Sequence, residues 1–157
     1  VDADELARWL GSGADTVVID VSKHAQYAKG HVPGAWFLIR SLIDESIPKL
    51  PGASRYVVTC TDACLAAFVA PELARRFRGR VHVLRGGNAA WVGAGHSLEK
   101  NSARLASPPV DRYRRPYEGT DVTDDRMQAY LDWEFGLVEQ LRRDGTHHFR
   151  PMCLAAN

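Results

Sequence analysis

Leu6, Ala7 and Leu10 fall on one face between Asp4 and Leu10, and Gly11-Ser12-Gly13 behind them reads as a stop, so the chain opens on a short amphipathic helix. Val17-Val18-Ile19 then predicts a buried strand. Ala35 to Ile39 is a second extended apolar run, with Ser41 placed to cap a short helix after it. Tyr56-Val57-Val58-Thr59 is β-branched and aromatic, the composition of a central strand, and it delivers Cys60 at its carboxyl end. From about Cys64 to Phe77, the residues Leu65, Phe68, Val69, Leu73 and Phe77 recur at helical spacing, and Pro71 among them predicts a kink or a late start. Val81 to Leu84 is the last strand, stopped by Gly86-Gly87, and Asn88 to Val92 begins another helix.

Short strands alternating with amphipathic segments predict an α/β fold, a mostly parallel sheet with helices on both faces. Past Leu98 the pattern breaks. Ser107-Pro108-Pro109 and Arg112-Tyr113-Arg114-Arg115-Pro116-Tyr117 predict an irregular arm, which divides the chain into a domain at residues 1–98 and an appended segment at 99–157. Within that segment Met127, Tyr130, Leu131, Leu137, Val138 and Leu141 form an apolar stripe behind an imperfect capping box, Thr123 followed by Arg126. They predict a helix from about 122 to 143, ended by Asp144-Gly145 and needing a surface to cover, on the domain itself or on a partner such as a second copy.

A chain of 157 residues accommodates one domain with an appendage, and 45% hydrophobic with 25% charged residues is ordinary for a globular protein. Twenty Lys+Arg against 19 Asp+Glu leave a net charge of +1, which argues against a nucleic-acid partner and makes the Arg112 to Arg115 cluster a solvated arm. No run approaches the roughly 18 apolar residues of a spanning helix, and Val1-Asp2-Ala3-Asp4 lacks the build of a signal peptide. A cytoplasmic protein without a membrane partner is expected. The missing initiator Met suggests that residue 1 is not the natural start. Cys60, Cys64 and Cys153 are too few and too oddly numbered for a disulfide framework, so reduced thiols are expected.

In an open parallel sheet, ligands bind outside the carboxyl ends of the strands, where Cys60 is placed. If the chain wraps there into a loop feeding the next helix, the amides of Thr61, Asp62, Ala63, Cys64 and Leu65 surround the sulfur. Such surroundings lower a thiol pKa from about 8.5 toward neutrality and favour the nucleophilic thiolate. Cys64 is expected to pack beneath the loop, with a redox pairing to Cys60 as the other reading. Zinc held by Cys60, Cys64, Cys153, His147 and His148 is disfavoured by the C-x-x-x-C spacing, and no metal is expected. A cysteine phosphatase would need C-x5-R, and the sixth position after Cys60 is Ala66.

Asp20-Val21-Ser22, Tyr27, Gly30-His31-Val32-Pro33-Gly34-Ala35 and Gly86-Gly87-Asn88-Ala89-Ala90-Trp91, with the strand and Cys60 between them, resemble the rhodanese-like family over nearly all of residues 1–98. The resemblance implies a five-stranded parallel sheet between helices. It implies a sulfurtransferase that moves sulfane sulfur through a Cys60 persulfide, from a small anionic donor such as thiosulfate to a thiol or cyanide-like acceptor, with no cofactor. Asp20 and His31 then organise loops, Trp36 and Trp91 are core, and Arg40 and Arg85 are placed to attract the anion. The arm and long helix resemble the tail of bacterial proteins with several rhodanese domains, so other such domains of a longer chain are expected partners. Two departures stand out. The family usually places glycine and a basic or hydroxyl residue in the loop, whereas Cys60-Thr61-Asp62-Ala63-Cys64-Leu65 offers side-chain polarity only at Thr61 and Asp62, and Ser22 replaces an arginine. Asp62 would oppose an anionic donor unless it points away. The rival expectation is a catalytically inactive rhodanese-like binding or regulatory module.

Overall fold

The computed structural model describes residues 1–101, 103–112, 123–146 and 148. The chain divides into two compact units, Val1–Arg112 and Tyr113–Asn157. Tyr113 to Tyr117, His147 and Cys153 lie outside the described residues, and with them most of the arginine cluster and part of the disfavoured zinc set.

The first unit holds α1 (Ala3–Gly11), β1 (Thr16–Asp20), α2 (His24–Lys29), β2 (Trp36–Phe37), α3 (Ile43–Ser46), β3 (Arg55–Thr59), α4 (Cys64–Ala74), β4 (Arg80–Val83) and α5 (Gly87–Gly93). Its strands form one parallel sheet in the order β2-β1-β3-β4. Consecutive strand residues face opposite ways, so β1 and β3 each serve two cores. Ile19, Tyr56 and Val58 pack with Ile43 and with Ala66, Val69 and Leu73 of α4. Val18, Val57 and Phe37 pack with Leu6 of α1, Tyr27 of α2 and Trp91 of α5. A sheet buried on both faces accounts for the near-continuous apolar runs of these strands.

The sheet has four strands among the described residues, not five. Next to β2, a single parallel bridge joins Phe37 to Leu105, with the Phe37 N–H donating to the Arg104 carbonyl at 2.9 Å and the Ala106 N–H to the Phe37 carbonyl at 3.0 Å. Pro108 and Pro109 follow at once, and a residue without an N–H cannot extend the ladder. β2 itself is two residues long because the left-handed Gly34 turn precedes it and a 3-10 turn at Arg40–Leu42 follows it.

Residues 99–112, the first part of the segment after Leu98, pack within the first unit. Ala106 is fully buried, Ser107 Oγ accepts the Ile39 N–H at 2.8 Å and pairs with Ser46 Oγ, and Asp111 accepts the His24 N–H at 2.6 Å. Glu99 ties this return to the Gly-His-Val-Pro-Gly-Ala turn: its carboxylate accepts the Gly34 N–H at 2.7 Å and pairs with Arg104, while its backbone bridges His31. The Gly34 N–H, the Asn101 amide and Arg104 hold this carboxyl below its ordinary 4.5, against a smaller opposing effect of burial. A depressed carboxyl stabilises the fold above its unfolded value, and that contribution is lost as pH falls through the folded one. The urea midpoint of the parent should therefore exceed that of Glu99→Gln at neutral pH and converge on it below about pH 4.5. A gap that persists in acid would refute this role.

Two local expectations differ from the structure. Ser41 caps nothing and sits exposed inside the 3-10 turn, because α3 begins directly from that turn without a side-chain cap. α4 starts at Cys64 and runs through Pro71, and its inner face is Ala66, Val69, Ala70 and Leu73, which leaves Phe68 72% exposed. In the second unit α6 spans Asp124–Asp144 and ends on the left-handed Gly145. Its Leu131, Trp133, Phe135, Val138 and Leu141 are exposed. No helix among the described residues is long and apolar enough to cross a membrane.

Candidate active site

The register sets Asp20 of β1 opposite both Phe37 of β2 and Thr59 of β3, so the carboxyl ends of three strands lie level. Cys60 follows β3 there, and the chain turns through Thr61, Asp62 and Ala63 into α4. Ala63 takes a left-handed conformation, φ 70°, where glycine is the comfortable residue.

The underside of this turn is built by residues that sequence reasoning did not single out. Asn88 N–H donates to the Cys60 carbonyl at 2.8 Å and Ala89 N–H to that of Thr61 at 3.0 Å. The Asn88 side chain accepts from Thr59 Oγ1 at 2.9 Å and donates to Asp20 Oδ2 at 2.7 Å. Asp20 Oδ1 in turn accepts the Ser22 N–H at 2.8 Å. Asp20 and Thr59 are fully buried and Asn88 is 7% exposed, so this chain of bonds satisfies polar groups that water does not reach. Asp20 was singled out from the sequence as a loop organiser; Asn88 was not, and its signal was the polar residue inside the Gly-Gly-Asn-Ala-Ala-Trp stretch. Gly87 lies under the turn at φ +61, and a Cβ there would stand 2.2 Å from the Cys60 carbonyl oxygen and 2.6 Å from the Ala63 nitrogen.

Cys60 is not presented to solvent as expected. It is 3% exposed and belongs to the core cluster with Val58, Leu38, Ala66 and Val69, because it completes β3 before the chain turns outward. Asp62 does not point away either. Its Oδ1 accepts the Cys64 N–H at 3.0 Å and faces Cys60 Sγ at 3.6 Å. The Cys64 N–H is the largest of the effects that hold the Asp62 carboxyl below the ordinary carboxylate range, with the Cys60 and Cys64 thiols adding to it. Asp62 also raises the Cys64 thiol, first by its charge, then with burial and a hydrogen bond. Cys64 does not pack beneath the loop: it is exposed, on the first turn of α4.

Two clefts flank the turn. One, of about 500 Å3, is lined by Val21, Ser22, Lys23, Arg40, Leu65 and Glu72 among others. The other, of about 490 Å3, includes Lys29, Thr61, Asn88 and Val92. Arg40 reaches the first cleft, but its guanidinium is shared with Glu72, with Nε 3.0 Å from Oε1. Glu72 flanks the buried stripe of α4 and is half-buried there. Arg85 is exposed beside Gly86, and its N–H donates to the Val1 carbonyl. His31 is fully buried, stacked on Tyr27 with ring centroids 3.9 Å apart and with Nδ1 2.8 Å from the Tyr27 carbonyl. It organises the turn. The Tyr27 hydroxyl donates to the carbonyls of Ala35 and Arg104, and burial, helped by Asp20 and Glu99, pushes it up to about 12. Trp91 is core at 4% exposure, with Nε1 donating to the Ser97 carbonyl, and Trp36 is half-buried.

Known proteins share this fold. The thiosulfate sulfurtransferase of Pseudomonas aeruginosa superposes with a TM-score of 0.83 at 49% identity, over 97% of this chain and 29% of that one, so the chain spans under a third of that protein. A sulfurtransferase of Allochromatium vinosum is 28% identical over 92 residues, 59% of this chain and 86% of that protein. A rhodanese-like domain protein of Staphylococcus aureus shares the fold at 23% identity, with a TM-score of 0.56 over 65% of this chain and 97% of its own. The model of the rhodanese-like domain matches residues 2–94, over half of the sequence, and the chain belongs to the rhodanese-like domain family.

Proposed function

We propose that this domain is a sulfurtransferase in which Cys60 carries sulfane sulfur as a persulfide. The observation that carries this reading is the turn itself. Next to Cys60, at the carboxyl end of a central parallel strand and the start of an 11-residue helix, peptide N–H groups hold an ionised carboxylate, that of Asp62. A turn that favours negative charge beside a sulfur favours the thiolate and the persulfide anion for the same electrostatic reason. The Asp62 carboxylate is the resident anion; it swings aside for the donor and returns to the turn once sulfite has left. The amides of Thr61 to Leu65 then form the cradle.

With thiosulfate as donor, the Cys60 thiolate attacks the outer sulfur and a bond forms between Sγ and that sulfur. The sulfur–sulfur bond of the donor breaks, and sulfite leaves with the electron pair. An acceptor thiolate or cyanide next attacks the outer sulfur of the persulfide, takes it, and returns Cys60 to the thiolate. The cycle as written uses no group beyond the chain and its two substrates. Arg40 and Arg85 are carried as anion-attracting candidates at the rim, Arg40 only to the extent that Glu72 releases it.

Incubation with thiosulfate should add one sulfur mass to the chain, and Cys60→Ala should abolish both the adduct and thiocyanate formation from cyanide. An unmodified mass for the parent protein would overturn the reading and leave a catalytically inactive module as the description of the domain.

A further inference from the structure

The persulfide proposed above forms at a sulfur that a bulky acceptor does not reach, since Cys60 is 3% exposed and sits among core side chains. Four residues on, Cys64 is exposed at the first turn of α4. An exposed thiol fills no core space, so packing does not account for it. One carboxylate joins the two sulfurs: Asp62 Oδ1 lies 3.6 Å from Cys60 Sγ, Asp62 also takes a hydrogen bond from the Cys64 thiol, and the Cys64 N–H anchors it at 3.0 Å.

We propose that Cys64 is a second sulfur carrier, taking the sulfane sulfur from the Cys60 persulfide and presenting it at the surface to a thiol of another protein. This rests on the Cys60 persulfide reading. In the step, Cys64 Sγ attacks the outer sulfur of the persulfide. The bond from that sulfur to Cys60 Sγ breaks as the bond to Cys64 Sγ forms, and Cys60 departs with the electron pair. The proton of the Cys64 thiol passes to Cys60 through the Asp62 carboxylate, which touches both. The outer sulfur keeps its hydrogen and its oxidation level, so neither oxidant nor reductant enters.

The test uses thiosulfate labelled in its outer sulfur, quenching with iodoacetamide at intervals, and peptide mapping. In the parent protein, label should appear first on Cys60 and then on Cys64. In Cys64→Ser, label should accumulate on Cys60, and transfer to a reduced protein bearing one surface cysteine should slow about tenfold or more, as expected when an intramolecular hand-off is removed. Cys60→Ala should label at neither position. Label confined to Cys60 in the parent protein, or protein-thiol transfer as fast in Cys64→Ser as in the parent, would overturn the relay while leaving the Cys60 chemistry intact. Label on Cys64 in Cys60→Ala would overturn it too, whereas no label on either cysteine of the parent removes the underlying reading.

Discussion

Gly87→Ala should lower the unfolding free energy by about 2 to 5 kcal/mol, the sum of about 1 to 2 for a side chain in the left-handed region and about 1 to 3 for overpacking a filled site. Gly87 has φ +61, and an added Cβ would meet the Cys60 carbonyl oxygen at 2.2 Å and the nitrogens of Ala63 and Asp62 at 2.6 and 2.9 Å. All three are backbone atoms of the turn, so no flexible side chain can yield. Relief requires the turn to lift off α5, breaking the hydrogen bonds from Asn88 and Ala89 to the carbonyls of Cys60 and Thr61. The substitution should therefore reduce sulfur loading of Cys60 in the fraction that stays folded, which separates it from a uniform loss of stability. Urea denaturation and thiosulfate loading together check this. A variant as stable and as readily loaded as the parent would contradict the packing described here.

Asp20→Ala should cost about 2 to 4 kcal/mol, because it strands two buried donors at about 1 to 3 kcal/mol each, partly offset by relaxation. Those donors are the Ser22 N–H and the Asn88 amide. Neither has water to turn to, with Asp20 at 0%, Ser22 at 7% and Asn88 at 7% exposed. The consequence reaches beyond stability. Asn88 holds Thr59 through its side chain and Cys60 through its N–H, so freeing its amide loosens the point at which β3 becomes the turn. Asp20→Asn keeps the shape and offers one acceptor oxygen for two donors, and should fall between the parent and Asp20→Ala in urea midpoint. If Asp20→Ala unfolds at the parental midpoint, the Asp20–Asn88–Thr59 chain does not bear on the fold.

The sequence alone determined the elements whose physics is local. Val17 to Ile19 and Tyr56 to Thr59 are rich in β-branched and aromatic residues and lie within strands, and the run Val81 to Leu84 overlaps a strand that ends one residue earlier, at Val83. The position of Cys60 at the end of the middle one follows from counting, and the family from three short motifs. What the sequence left open were quantities that depend on which neighbours arrive. Among the described residues the sheet stops at four strands, because the segment beside β2 runs into two prolines after one bridge. Leu65 and Phe68 match a helical stripe on paper, yet β3 and β1 meet the face bearing Ala66, Val69 and Leu73.

The site divides in the same way. That a cysteine stands at a strand end was legible from residue types in order along the chain. That Asp62 folds inward onto it, that Asn88 and Gly87 build the floor, and that Glu72 holds Arg40 were not. Each of these joins residues whose separation in sequence says nothing about their distance, or selects one side-chain direction from several that the backbone permits. Only the packing of α4 and α5 against the carboxyl ends of β1 and β3 removes that freedom, since buried donors there must find acceptors and backbone atoms crowd the space a Cβ would need.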